Sequence, residues 1–373
     1  MKRKTSCFIS YFWLMYTPRK YRVLSVLLVV QWLVIQLISK SPDFVENYYS
    51  TGIYPYISRF FRFLFGWIPF SFGDVIYIVL SVLILRFIIQ SIRKKRVEIV
   101  KTIGLLSIVY FCFHFFWGIN YLRRPLYKTL DIRELNYSTD DLEKFTYLLI
   151  DKINNTQIEI TNNDTVKVTF PFLKKEVYNK VQNGYNKLSK KHPQFMYQGQ
   201  SLKHSMISLP MTYLGTSGYL NPFTGEAQVN SLNPSISYAS TSCHEVAHQL
   251  GYAAENEANF IGFLSSINNE NIYFQYSGYY MGLRYALNDL YRHDKEKYKI
   301  AIQRVNKGIL KNMKESQEFW QAYQNPIEPY SKKIFDLFLK ANKQAAGIKS
   351  YNLMVGMLIN YNKENPSELY FLN

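Results

Sequence analysis

The chain has 373 residues, 48% of them hydrophobic, three cysteines and a formal net charge of +17. This length and apolar content allow a substantial core and exclude a disordered chain. Residues 1–101 hold 15 Lys and Arg against 4 Asp and Glu, so they supply +11 of the net charge. Because this basic excess lies in the most apolar part of the chain, without a nucleic-acid-binding motif, we expect contact with a lipid bilayer and no nucleic-acid partner.

Three apolar runs, at residues 23–38, 75–90 and 103–117, are long enough to cross a bilayer when each is extended by a turn. No small-residue cleavage site follows the first run, so it is predicted to be an anchor rather than a signal peptide. Arg86, near the end of the second run, is expected to extend to the headgroups. Residues 1–120 are therefore predicted to form a membrane anchor with three transmembrane helices.

The charges that flank these runs predict their orientation. The N-terminus is basic, and the loop between the second and third runs carries one acid, Glu98, against Arg93, Lys94, Lys95, Arg96 and Lys101. By the positive-inside rule both are cytoplasmic, which places residues 121–373 on the opposite side of the membrane.

The loop at residues 40–73 contains an aromatic stretch, residues 54–70, that also carries Arg59 and Arg62. It is too short to cross a bilayer, and its composition predicts a helix in the membrane interface. Such a helix either holds the following domain against the membrane or forms a solvated connector.

Residues 121–373 have the composition of one soluble domain, predicted to be α+β, mostly helical, with a small antiparallel sheet between residues 195 and 231. The predicted helices are 138–154, 174–191, 235–250, 255–267, 279–292, 295–307 and 329–343. Cys7, Cys112 and Cys243 are predicted on the cytoplasmic side, within the third span and in the domain, so no disulfide is expected. Cys243 is expected to be a small buried residue.

The segment His244-Glu245-Val246-Ala247-His248 is an HExxH motif. Two imidazoles at i and i+4 lie one turn apart on the same helix face, where both can bind one zinc ion. Glu245 then lies where its carboxylate can act as general base toward a water on that ion. We therefore expect one Zn²⁺ per chain and hydrolytic chemistry.

The site needs a third protein ligand. Gly251 is predicted to end the HExxH helix, and a second helix is predicted to begin near Ala254. That helix offers Glu255 or Glu257, but residues two apart on a helix diverge by about 200°, so only one of them can face the metal. The spacing leaves both open.

A resemblance favours the first. Glu255-x-x-Ala258-Asn259 resembles the ExxA(D/N) element of glutamate zincins such as the CAAX prenyl protease type and the anti-repressor peptidases. The resemblance implies that Glu255 is the third ligand and that Asn259 supports the site, for example by a hydrogen bond to a ligating His. The gap after His248 is much shorter here than in those families.

A short alternating segment precedes the motif: Glu226, Ala227, Gln228, Val229 and Asn230. In zincins an edge strand beside the metal helix pairs with extended substrate. This segment is the candidate for that strand, and the alternative is an ordinary hairpin packed under the helix.

Over nearly its full length the chain resembles an uncharacterised family of bacterial polytopic membrane proteins with a zincin-like ectodomain. The specific elements are Asn221-Pro222-Phe223-Thr224-Gly225-Glu226-Ala227 and the HExxH helix. The resemblance implies a multi-pass protein of the bacterial cytoplasmic membrane with an extracytoplasmic domain, and it implies fold and chemistry but no substrate.

The predicted function is therefore a membrane-anchored zinc peptidase acting on a peptide or protein substrate. His204, Tyr279, Tyr280 and His293 are candidates to stabilise the oxyanion, and no pattern selects one of them. The alternatives are an inactive zincin-fold binding or scaffold protein and a transport component. The intact Glu245 argues against the first, and the lack of acids or His near mid-membrane argues against the second.

Overall fold

Three helices of the computed structural model are long and apolar enough to cross a membrane: α1 (Arg19–Ile38), α3 (Phe72–Arg93) and α4 (Ile99–Phe116). The model describes residues 19–93, 98–344 and 353–366. The three predicted runs are thus confirmed as apolar helices, and α1 packs along α4. The basic N-terminal residues, Cys7 and Lys94 to Arg96 lie outside the described residues.

The segment between α1 and α3 is helical and amphipathic. It comprises the turn Pro42–Phe44, the π-helix Val45–Ile53 and α2 (Tyr54–Gly66). Along α2 the side chains of Tyr54, Ser58 and Arg62 are buried, whereas Phe60 and Phe63 are exposed. The prediction of a helix in this loop is confirmed, but Arg62 points into the domain rather than toward headgroups.

The domain is mostly helical, as predicted. Its helices are α5 (Thr139–Thr161), α6 (Lys174–Lys191), α7 (Ser208–Tyr213), α8 (Ser235–Gln249), α9 (Glu255–Ile267), α10 (Ile272–His293), α11 (Lys295–Gln303), α12 (Lys307–Ala322), α13 (Glu328–Ala341) and α14 (Leu353–Glu364). Single helical turns occur at Gly118–Leu122, Leu126–Thr129 and Pro193–Phe195. Ser138 caps α5 in the predicted manner. The sequence analysis did not predict α7, α12 and α14. It also placed the start of α10 seven residues late. The Asn271 side chain sets that start, because it accepts a hydrogen bond from the Tyr273 N–H.

The sheet is mixed, and the prediction of an antiparallel sheet was wrong. Its strands are β1 (Leu202–His204), β2 (Gly218–Leu220) and β3 (Ala227–Val229), in the order β1-β3-β2. β2 and β3 form an antiparallel pair, whereas β1 runs parallel to β3. The reason is the connection after β1, which contains α7 and returns the chain to the far edge of the sheet, as a parallel pairing requires.

This order also corrects the predicted substrate strand. β3 lies in the centre of the sheet, with a neighbour on each side, and its three residues are buried. Glu226 and Asn230 at its ends are buried as well. The segment therefore cannot pair with substrate, and β2 is the strand that lies at the edge beside α8.

The core surrounds α8, which packs against α9, α10, α6 and β3. Cys243 on α8 is fully buried, as expected, and Cys112 and Cys243 are both free. A second apolar cluster joins the apolar helices to the domain through Ile35, Trp117, Tyr121 and Leu339, among others. The HExxH helix is thus held between the main core and the region where the apolar helices meet the domain.

Candidate metal centre

The HExxH residues lie on the last turns of α8, where the helix ends as predicted. Gly251 adopts φ +89°, a conformation that Gly reaches at low cost, and this turns the chain toward α9. The rings of His244 and His248 have their centroids 4.6 Å apart on one face of α8. One candidate ligand atom from each of His244, Glu245 and His248 lies within 4.8 Å of the other two.

The first residue of α9 directs a carboxylate at both imidazoles. Glu255 Oε2 lies 3.4 Å from His244 Nε2, and Glu255 Oε1 lies 3.8 Å from His248 Nε2. Glu257 points elsewhere: its Oε1 accepts a 2.7 Å hydrogen bond from the Leu126 N–H, and burial raises its pKa to about 7. The structure therefore brings Glu255, and not Glu257, to the two histidines.

The histidine environments suit a cation between their Nε2 atoms. His248 Nδ1 donates a 2.7 Å hydrogen bond to the Tyr252 carbonyl, which leaves the Nε2 lone pair facing Glu255. Burial and the charge of His244 lower the pKa of His248 to about 4. Burial lowers the pKa of His244 as well, but the interactions with Glu255 and Asn259 and the charge of Glu245 outweigh burial and raise that pKa. Asn259 lies beside His244, but His244 Nδ1 and Asn259 Nδ2 have no hydrogen-bond partner among the described residues, so the supporting role that the resemblance implied stays a prediction.

The Glu245 carboxyl group is buried and closely packed. Its side chain is buried, and burial raises its pKa to about 8. Its Oε2 has no hydrogen-bond partner among the described residues. Gly218 at the start of β2 lies against the carboxyl group so closely that a Cβ at that position would collide with Oε1. A buried carboxylate with an unused oxygen, next to two imidazoles, fits a metal ion with a bound water.

These groups open onto a cavity of about 750 Å³ between the domain and the ends of two apolar helices. Its wall includes residues from α3, α4, β2, α8, α9, α10 and α13, among them Tyr77, Phe113, Trp117, Tyr121, Gly218, Tyr219, Leu220, His244, Glu245, His248, Glu255, Asn259, Arg284, Tyr285, Phe335 and Phe338. A volume of this size is within the range of ligand-binding pockets.

The cavity wall contains none of the four residues that were candidates for the oxyanion donor. Tyr279 and Tyr280 are buried in the core on the other faces of α10, and His204 and His293 are outside the wall. Arg284 and Tyr285, also on α10, do line the cavity. The sequence did not identify Arg284 and Tyr285, because the side of α10 that faces the cavity is set by its packing against α8 and α9.

Three side chains of α2 donate hydrogen bonds to a backbone carbonyl at the end of α8. The sequence analysis did not predict these contacts. The Gln249 carbonyl accepts hydrogen bonds from Ser58 Oγ at 2.6 Å, Tyr54 Oη at 3.3 Å and Arg62 Nη1 at 3.3 Å. Trp117, just past α4, contacts the His248 ring edge to face, with centroids 5.9 Å apart. The sequence did contain a signal for this contact: the three α2 residues are spaced i, i+4 and i+8, which forms a polar stripe on an otherwise apolar helix.

Together these features define a mostly helical protein with three candidate membrane spans, a small mixed sheet and a His-Glu-His cluster beside a deep cavity. The chain belongs to the family described as Protein of unknown function (DUF3810), whose profile matches residues 49–359. That match begins before α2 and ends within α14, so the helices that join the membrane segment to the domain are part of the family's common structure. No curated protein and no solved structure matches the chain.

Proposed function

We propose that this protein is a zinc-dependent peptidase anchored in the bacterial cytoplasmic membrane, with its site on the extracytoplasmic side. The observation that supports it best is the approach of one carboxylate, from Glu255, to the Nε2 atoms of both HExxH histidines at the wall of the cavity. Three protein ligands and an open side facing a cavity are the features of a catalytic rather than a structural zinc site.

His244, His248 and Glu255 would hold the ion. Zn²⁺ bound there would lower the pKa of a coordinated water and polarise the substrate carbonyl. The Tyr252 carbonyl fixes the tautomer of His248, and Asn259, beside His244, would support that ring.

Glu245 would move the proton. Its partnerless Oε2 would accept a proton from the attacking water as the C–O bond forms, and would then deliver that proton to the leaving amine as the peptide C–N bond breaks. Arg284 and Tyr285, which line the cavity, would take the place of the earlier candidates as donors to the developing oxyanion.

β2 would bind the substrate backbone. It pairs with β3 along one edge only, and its residues Gly218, Tyr219 and Leu220 line the cavity beside Glu245. An extended peptide can add to the other edge of β2 by backbone hydrogen bonds, with the scissile carbonyl near the histidines.

The test uses the full-length protein in lipid nanodiscs, as wild type, His244→Ala and Glu245→Gln. Bound zinc and cleavage of a fluorogenic peptide library are measured on each. One zinc per chain and cleavage in wild type are expected, with zinc but no cleavage in Glu245→Gln and neither in His244→Ala. Zinc without cleavage in wild type would favour a binding protein, and no zinc in any form would refute the proposal.

A further inference from the structure

The exposed large apolar side chains of the described domain concentrate in two segments, α13 with the residue before it and the region around α7. Ile327, just before α13, and Tyr330, Ile334 and Leu337 on α13 are the most exposed, with 57–70% of their surface accessible. Their spacing of three and four places them on one stripe of the helix. Such a continuous apolar stripe is not expected to face water.

Positions beside and opposite this stripe attach α13 to the apolar helices and to the cavity. The Phe338 ring contacts the ring of Phe113 on α4, with centroids 5.9 Å apart, and Leu339 is buried in the same cluster as Ile35 of α1. Lys343 Nζ donates a 2.8 Å hydrogen bond to Gln36 Oε1 of α1.

These contacts define the depth of α13. Ile35 on α1 and Phe113 on α4 each lie three residues before the last residue of their helix, at the end that meets the domain. Three residues correspond to about 4.5 Å along the helix axis. A helix that contacts candidate spans at this depth lies at the boundary between headgroups and acyl chains when the spans cross a bilayer.

The second segment continues the same surface. Met206 and Leu209 are about half exposed, and the Met206 N–H donates a 2.7 Å hydrogen bond to Asp74 at the domain end of α3. The Tyr213 carbonyl accepts a hydrogen bond from Asn325, just before α13. The α7 region therefore contacts the domain end of α3 on one side and the residues just before α13 on the other.

The charges near the stripe also suit a lipid surface. α13 and the residues after it carry Lys332, Lys333, Lys340 and Lys343 against Glu328 and Asp336. The excess of basic residues would attract anionic headgroups while the apolar stripe enters the acyl region.

We propose that α13 is a fourth membrane-binding element, which lies in the bilayer interface with Ile327, Tyr330, Ile334 and Leu337 among the lipid chains of the leaflet nearest the domain. Phe335 and Phe338 on the same helix line the cavity, so this seating places the cavity at the bilayer surface. The inference depends on the three spans but not on zinc or catalysis.

Site-directed spin labelling of the full chain tests it. Ile334→Cys and Leu337→Cys are labelled in a Cys7→Ser, Cys112→Ser background and placed in nanodiscs of phosphatidylethanolamine and phosphatidylglycerol. The matched control is Ile300→Cys on α11, which is 52% exposed on a helix that packs on α10 and α5. Collision with oxygen, which enters lipid, is compared with collision with a water-soluble nickel chelate.

The expected result is a higher ratio of oxygen to nickel accessibility at both α13 positions than at the α11 control, with an unchanged unfolding midpoint for each variant. Nickel accessibility equal to that of the control would place the stripe in water and overturn the inference. Low accessibility to both reagents with an immobilised spectrum would show that protein, such as a second copy, covers the stripe, and would overturn it as well.

Discussion

Glu255 and Glu257 are two residues apart on one helix, yet their carboxylates contact different groups. Glu255 faces the Nε2 atoms of His244 and His248, whereas Glu257 is buried against the Leu126 N–H and the guanidinium of Arg123. The divergence follows from helix geometry and the position of α9 relative to α8.

Glu255→Gln is expected to lower zinc affinity by about 100-fold or more, because loss of a group that merely supports a ligand already costs about 10–100-fold. Glu257→Gln is the matched control and is expected to keep its zinc. The measurement is competition with a chelating dye. Equal affinity of the two variants would show that Glu255 does not bind the metal.

The burial of Glu257 predicts a pH effect on stability. Its pKa in the folded chain is about 7, above the ordinary 4.5, so its neutral form stabilises the fold at low pH and that contribution is lost as the pH rises through 7. The unfolding midpoint of wild type is therefore expected to fall more between pH 5 and 8 than that of Glu257→Gln. Identical pH profiles for the two proteins would contradict this.

Gly218 makes room for the Glu245 carboxyl group. In Gly218→Ala the new Cβ collides with that group, which must shift, and a shift of about 1 Å at a general base can cost about 100-fold in rate. We expect a large loss of kcat with zinc retained, because Gly218 has no ligand atom. The same kcat as wild type would argue against Glu245 as the base.

At the scale of elements, buried carboxylates join the apolar helices to the domain. Glu226 accepts hydrogen bonds from the Phe72 and Gly73 N–H groups at the start of α3 and pairs with Lys203 Nζ at 2.6 Å. Arg123 forms a buried pair with Glu46, donates to the Gly251 carbonyl and lies over the Tyr252 ring. The negative charge of Glu226 at a helix N-terminus also interacts favourably with the α3 dipole.

Glu226→Ala is expected to destabilise the protein by about 3–5 kcal/mol, because it leaves the buried Lys203 charge without a counter-charge and two α3 N–H groups without an acceptor. The control is Glu315→Ala, which removes the exposed pair with Lys167 and should change stability by less than about 1 kcal/mol. Chemical unfolding in detergent measures both. A similar small effect for the two variants would refute the anchoring role.

At the scale of the whole molecule, contacts cross the predicted boundary at residue 120. On its N-terminal side, α2 donates hydrogen bonds to the Gln249 carbonyl at the end of the HExxH helix, from Tyr54, Ser58 and Arg62. Residues on this side also contribute to the second apolar cluster. Trp117 contacts a candidate ligand directly. The site is therefore assembled across the boundary.

A chain of residues 121–373 alone is expected to unfold at a lower temperature than the full protein, because the Gln249 carbonyl and Arg123 lose their partners and apolar surface is exposed. A peptide of residues 42–66 added to it should raise the midpoint by binding the folded form. Thermal unfolding measures both effects. A shortened chain as stable as the full protein would show that the domain is autonomous.

The sequence by itself determined the three apolar helices, the HExxH helix with its end at Gly251, the helix that begins at Glu255 and the burial of Cys243, because each depends on local composition or on residues within a few turns. Tertiary structure decided which glutamate faces the histidines, the mixed order of the sheet and the central place of β3. It also decided that Arg284 and Tyr285, rather than the earlier candidates, line the cavity. These depend on contacts between segments far apart in the chain, and a local pattern contains no information on which face of a helix or which edge of a strand a distant segment covers.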